Sequence, residues 1–155
     1  MGKLQFHVPG IPSPGGSKTA FPVKDKNGYV FKDGRPVTNM VDSGGKKTKV
    51  WRKAVATRAH MAMKIADMNA IDCPISVIFE FYMPRPKYHF KKNGSLKDEY
   101  LLNDYHTKTP DALKLARSTE DAMKGIVYKD DSLIWKETIY KKYHIISGCH
   151  ITIEW

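Results

Sequence analysis

The sequence predicts an α+β or mixed α/β domain, with two main helices packed on a mixed sheet. Three observations lead there. Residues 3–8 and 75–83 place apolar side chains at alternate positions, the period of a strand. Residues 50–66 and 112–124 repeat apolar residues with helical period instead. Two further apolar-patterned runs, 133–143 and 149–155, close the chain. The expected order is strand, loop, helix, strand, loop, helix, strand, strand.

The first strand turns Leu4, Phe6 and Val8 one way and Lys3, Gln5 and His7 the other, as a half-buried strand does. Pro9-Gly10 ends it. Residues 9–49 are rich in Gly, Pro and Lys and read as a long basic loop with short extended pieces, such as Tyr29-Val30-Phe31. Ser17, Lys18, Lys24, Lys26, Lys46, Lys47 and Lys49 make it a candidate phosphate-contacting arm; a solvated linker is the competing reading.

The helix over 50–66 gathers Trp51, Val55, Ala59, Ala62, Ile65 and Ala66 on one stripe. Between Lys46 and Lys64 stand seven Lys and Arg residues, Lys53 among them, and no acid. Such a ridge can track a nucleic-acid backbone or simply face solvent. His60 reads as a surface or packing residue and not as a ligand. In 75–83, Ile78 and Tyr82 make the second face partly apolar, which predicts cover on both faces. Glu80 on that face needs a partner if buried, a metal or a lysine. Residues 84–109 interleave Arg85, Lys87, Lys91, Lys92 and Lys108 with Tyr88, His89, Phe90, Tyr105 and His106, a mixture suited to holding nucleic-acid strands; an ordinary solvated surface loop is the competing reading. The last two runs are expected to be antiparallel strands, with Cys149, Ile151, Ile153 and Trp155 facing the core.

The chain has 155 residues, 41% hydrophobic and 27% charged, and fits one domain over 1–155. It carries no internal repeat and no sustained heptad. No apolar run approaches the roughly 20 residues that span a bilayer, so neither a membrane nor a signal segment is expected. Cys73 and Cys149 are isolated thiols, which points to a reduced, cytoplasmic setting without structural zinc. Twenty-six Lys and Arg against sixteen Asp and Glu give +10, the balance of a protein with a polyanionic partner.

The chemistry is expected in residues 105–134. One face of the second helix carries Ala112, Leu115, Ala116, Thr119, Ala122 and Met123; Leu113, Arg117, Glu120 and Lys124 line another. Leu113 is apolar where that face is otherwise polar. Gly125 supplies a stop signal. If Ile126 to Asp131 is extended, its roughly 20 Å matches the helix rise and brings Asp131 back beside Asp111. Two carboxylates meeting at a helix start suit a hard divalent cation. An N-cap at Asp111 and a turn at Asp130-Asp131-Ser132 are the plain structural alternative.

This stretch resembles the signature of the RusA family of Holliday-junction resolvases of bacteria, prophages and phages. The residues that carry the resemblance are Pro110-Asp111-Ala112-Leu113-Lys114-Leu115-Ala116-Arg117, then Asp121-Ala122-Met123-Lys124-Gly125, then Asp130-Asp131-Ser132. Val8-Pro9-Gly10-Ile11-Pro12 and Met83-Pro84-Arg85-Pro86-Lys87 extend it over most of the chain. Leu113 departs from the pattern, standing where the family has its second metal-binding Asp. Glu120, about 10 Å further along the helix axis, cannot take that place but could serve a site further up the helix, and Glu80 is another possible donor.

The resemblance implies a homodimeric endodeoxyribonuclease that nicks four-way junctions symmetrically, with no organic cofactor. Asp111 and Asp131, assisted by Asp130 or Glu120, would hold Mg²⁺, with Mn²⁺ as a substitute. Arg117, at the family's basic position, or Lys114 would clamp the scissile phosphate. Asp121 is expected to be a structural helix residue. A DNA-binding protein that has lost catalysis is the alternative that Leu113 supports, and a basic RNA-binding domain is a third.

Overall fold

In a computed structural model, residues 1–16, 18–42 and 45–155 are described. Ser17, one of the candidate arm residues, lies outside them, as do Ser43 and Gly44. A four-stranded mixed sheet forms the centre, ordered β1-β10-β8-β9. β1 (Lys3–Pro9) pairs antiparallel with β10, with Leu4, Phe6 and Val8 opposite Ile153, Ile151 and Cys149. These pairs share the core face, as the alternation predicted.

Between β1 and the first helix the chain builds more than a loop. β2 (Lys18–Pro22) and β7 (Thr38–Asp42) pair as a stem. Two small hairpins spring from its end: β3 (Lys24–Asp25) with β4 (Gly28–Tyr29), and β5 (Phe31–Lys32) with β6 (Arg35–Pro36). The three pieces meet at a ring of backbone hydrogen bonds. Val23 N–H donates to Val37 O, Val37 N–H to Val30 O, and Val30 N–H to Val23 O, each at 2.8–2.9 Å. The valines stand seven residues apart, so a short repeat exists that side-chain patterning did not reveal. Asp33 and Gly34 turn the second leaf with positive φ at both positions, the requirement of a tight two-residue hairpin.

α1 (Gly45–Ile65) starts earlier than expected and takes Lys46, Lys47 and Lys49 out of the loop into its first turns. Thr48, Trp51, Val55, Ala59 and Met63 are its buried row. Ile65 is 84% exposed, contrary to the predicted stripe, and Ala66 lies beyond the helix end. Met63 and Ile65 flank the stripe at equal angles, and the helix leans onto the Met63 side.

β8 (Ile75–Pro84) is the central strand, fully buried at Ile75, Val77, Phe79 and Phe81. Its second face is only half-covered at Ile78, Glu80 and Tyr82, so the expectation of cover on both faces fails. The reason is topological. α1 packs on α2 and β1, and α2 on β9, which places both helices over one face of the sheet. Glu80 sits on the open face in register with His150 and Tyr140, and needs no buried partner.

After the long connection 85–109 comes α2 (Ala112–Met123), then β9 (Ile134–His144) parallel to β8, then β10 (Gly148–Glu154) antiparallel to β8. β9 and β10 are antiparallel in direction as predicted but are not neighbours, because β8 lies between them. The parallel β8–β9 pair needs a crossover, and α2 supplies it. Among the described residues, no helix is long and apolar enough to cross a membrane. Cys73 and Cys149 are free thiols.

Candidate active site

Contacts on both sides fix α2 in place. Its apolar side, Leu115, Ala116, Thr119 and Met123, is buried against α1 and the sheet. Trp51 Nε1–H donates to Thr119 Oγ1 at 3.1 Å, and Thr119 O–H donates back to Leu115 O. Arg52 pairs with Asp121 at 2.9 Å, which gives Asp121 the structural role expected of it. At the other side, Lys141 Nζ of β9 donates to Lys108 O and Pro110 O, both at 2.7 Å, and so pins the entry to the helix.

The exposed row on α2 is the predicted one: Leu113, Arg117, half-buried Glu120 and Lys124. Where it leads is different. Asp111 occupies the N-cap position without a side-chain capping bond and pairs with Lys114 at 3.4 Å. The chain after Met123 does not extend. Gly125, with φ of +75°, and Ile126 turn it back tightly, with Gly125 N–H bonded to Tyr128 O and Val127 N–H to Met123 O. Asp130 and Asp131 therefore stop at the C-terminal end of the helix. Lys124 Nζ holds them there, 2.8 Å from Asp130 and 2.9 Å from Asp131. Asp111 and Asp131 stand at opposite ends of α2, which rises roughly 18 Å. The structure does not bring them together within one chain.

What gathers beside Asp131 is a different set. Glu137 of β9 is in register with Val77, so it faces the helix side of the sheet and meets Glu120 across the α2–β9 seam. Burial, Glu137 and then Asp131 and Asp121 push the Glu120 carboxyl up to about 7. Burial also raises Glu137. The Lys124 ammonium and the Ser132 N–H hold Asp130 well below the carboxylate range. Glu120, Asp131, Ser132, Trp135 and Glu137 line one open cleft.

The cleft sets three carboxyl groups, Glu120, Asp131 and Glu137, against Lys124 and Lys136, and its donors are hard oxygens, so its chemistry fits a hard divalent cation. Among the described residues, no three Asp, Glu, His or Cys side chains are yet drawn close enough to enclose one. Arg117, exposed one turn before this cleft, makes no ion pair among the described residues. Tyr128, its phenol raised by burial, donates to Glu120 O at 3.2 Å and buttresses the same turn.

The basic candidates fall into two groups. Lys46, Lys47, Lys49 and Lys53 are exposed on α1, and Lys46 and Lys47 line a groove that also includes Thr109 and Pro110. Lys87, Lys91, Lys92 and Lys108 are exposed on the connection, with Lys91 paired to Asp98. Arg85 is half-buried over Tyr143 and bonded to Asn103 O, which makes it a brace within the loop. Lys18 lies in β2. Sequence reading passed over Glu137 and Lys141, and gave Lys124 no role beyond its place on the helix's polar face. The signal for Glu137 is its phase: it shares a strand face with Ile139 and Tyr143, where a carboxylate is out of place.

Residues 22–154 match the family model described as Endodeoxyribonuclease RusA. The match spans most of the chain, with its mixed sheet and paired helices, and defines the class as a DNA endonuclease fold. The chain belongs to the RusA endodeoxyribonuclease family. No curated protein matches it.

Proposed function

We propose that this protein is a metal-dependent endodeoxyribonuclease that resolves four-way DNA junctions by paired symmetric nicks, acting as a two-fold dimer. The observation that carries the reading is the carboxylate-rich cleft of Glu120, Asp131 and Glu137, one helical turn from exposed Arg117, on a chain of charge +10. Asp131, with Asp130 and Glu120, would hold Mg²⁺ or Mn²⁺. Bound there, the ion supplies an activated water and charge stabilisation for the leaving 3′-oxygen. Arg117 binds the scissile phosphate through charge-assisted hydrogen bonds. The lysines of α1 and of the 85–109 connection hold the arms. Asp111, at the far end of α2, stands outside this donor set within one chain. A dimer suits the substrate because two sites related by a two-fold axis match two symmetric cuts.

The test is cleavage of a mobile synthetic four-way junction with and without Mg²⁺, beside Asp131→Asn and Glu120→Gln. Metal-dependent paired nicks that both variants lose support the reading. Tight junction binding with no nicks in Mg²⁺ or Mn²⁺ favours the second reading, a junction-binding protein without catalysis. Leu113, 71% exposed at the family's second acidic position, is the observation behind that alternative.

A further inference from the structure

The connection between β8 and α2 ends in a bare apolar tip. Leu102 is 99% exposed and Leu101 59%. Single exposed leucines are common on protein surfaces and require no explanation. These two are adjacent, and the chain on either side is braced so that they cannot fold back. On one side the Tyr100 ring stacks on His89, centroids 3.8 Å apart. His89 is itself buried, edge-on to Tyr143 of β9 at 4.9 Å. On the other side Asn103 O accepts from both terminal nitrogens of Arg85, at 3.4 and 3.3 Å, and Asn103 Oδ1 accepts from Tyr105 N–H. Tyr143 N–H then ties down Asp104 O at 2.6 Å. Only the two leucines stand between these clamps.

The surroundings say what the tip meets. Residues 84–109 carry six Lys and Arg, among them Lys87, Lys92 and Lys97, against three acids. One of those acids, Asp98, is already paired with Lys91. A rigid apolar point in a basic setting suits a surface that is anionic outside and apolar within, which describes stacked base pairs between phosphate rails. Apolar side chains that enter between base steps unstack them and bend the duplex. The same connection runs directly into α2, and Lys141 clamps its last carbonyls, so tip and helix are tied to one strand, β9.

We propose that Leu101 and Leu102 form a wedge that enters the centre of the branched DNA and unstacks the bases there. The proposal deepens the junction reading above and rests on it. It assigns preference for a branch over a linear duplex to the wedge, and affinity for either to the lysines.

The experiment uses a four-way junction with 2-aminopurine beside the branch point, and a second with the probe inside an arm, bound in EDTA. Wild-type protein should brighten the branch-point probe and leave the arm probe unchanged. The Leu101→Ala/Leu102→Ala variant should still bind but lose the brightening, with preference for the junction over duplex falling about tenfold or more. Leu101→Phe/Leu102→Phe, apolar and bulky, should restore both. Unchanged brightening and preference in the alanine variant would overturn the wedge while the junction reading stands. Conversion of a dimer to a monomer by the alanine variant, seen by sedimentation, would overturn it too, by making the leucines a subunit contact. Absence of any junction preference in the wild-type protein would remove both readings together.

Discussion

Glu120 and Glu137 meet as two carboxyl groups across the seam between α2 and β9, and burial holds both above the ordinary range. In the metal-free protein this makes stability depend on pH. Glu120 titrates near 7 when folded, against 4.5 ordinarily. Between those values the folded chain keeps a proton that the unfolded chain has lost. The contribution is therefore full below about pH 4.5 and is lost as pH rises through 7. Glu137→Gln should flatten this limb and raise the melting temperature at pH 8. An unchanged slope from thermal unfolding across pH 5–8 would remove the shared-proton account.

A divalent cation should act on the same limb. At pH 8, Mg²⁺ should raise the melting temperature by mass action, and much less at pH 5, where Glu120 is protonated. Asp131→Asn and Glu120→Gln should blunt the effect. Equal stabilisation of wild-type and both variants would place any ion elsewhere.

The acid side has a different origin. His89 and His106 are buried, each with an Nδ1 that finds no hydrogen-bond partner among the described residues, and burial with nearby Arg85, Lys97 and Lys141 lowers both. A histidine lowered on folding gives stability that is present above its ordinary pKa of 6.5 and is lost as pH falls below it. Amide exchange over 85–109 should accelerate at pH 5 relative to pH 7.5, ahead of the sheet. Uniform exchange at both values would show that the loop does not depend on neutral histidines.

Thr119→Val should cost roughly 1–3 kcal/mol, because it leaves the Trp51 indole N–H buried without a partner. In a Trp51→Phe background the same change should cost less, since the donor is already gone. Additive losses in the double-mutant cycle would show that the bond contributes little.

Lys46→Ala and Lys47→Ala should each weaken junction and duplex binding alike and reduce the slope of log affinity against log salt by about one. A loss confined to one DNA shape would mean that these lysines read structure and do not simply neutralise phosphate.

Periodicity carried much of this architecture. Leu4, Val8 and the alternate residues from Ile75 to Phe81 are buried as their alternation predicts, with Phe6 partly buried against them. The row of Leu113, Arg117, Glu120 and Lys124 faces out as its helical spacing predicts. The position of Asp131 was not legible, because it hangs on backbone bonds at Gly125–Val127 that leave no side-chain pattern. An extended path and a tight turn fit the same six residues. Glu137 was missed for a related reason: its partner lies on another element, and only the strand–helix register joins them. Met63 displaced Ile65 because two flanking side chains can fill one gap and only packing decides.

The ring of Val23, Val30 and Val37 joins three ribbons through backbone bonds alone. Each leaf closes on its own ladder, and side chains in it are exposed. Lengthening or trimming one leaf by residue pairs leaves the ring, the stem and the other leaf in register. The region is thus open to insertion and deletion in a way the central sheet is not, and a short peptide tag placed at Asn27 or Gly34 would sit at a leaf tip, away from the core.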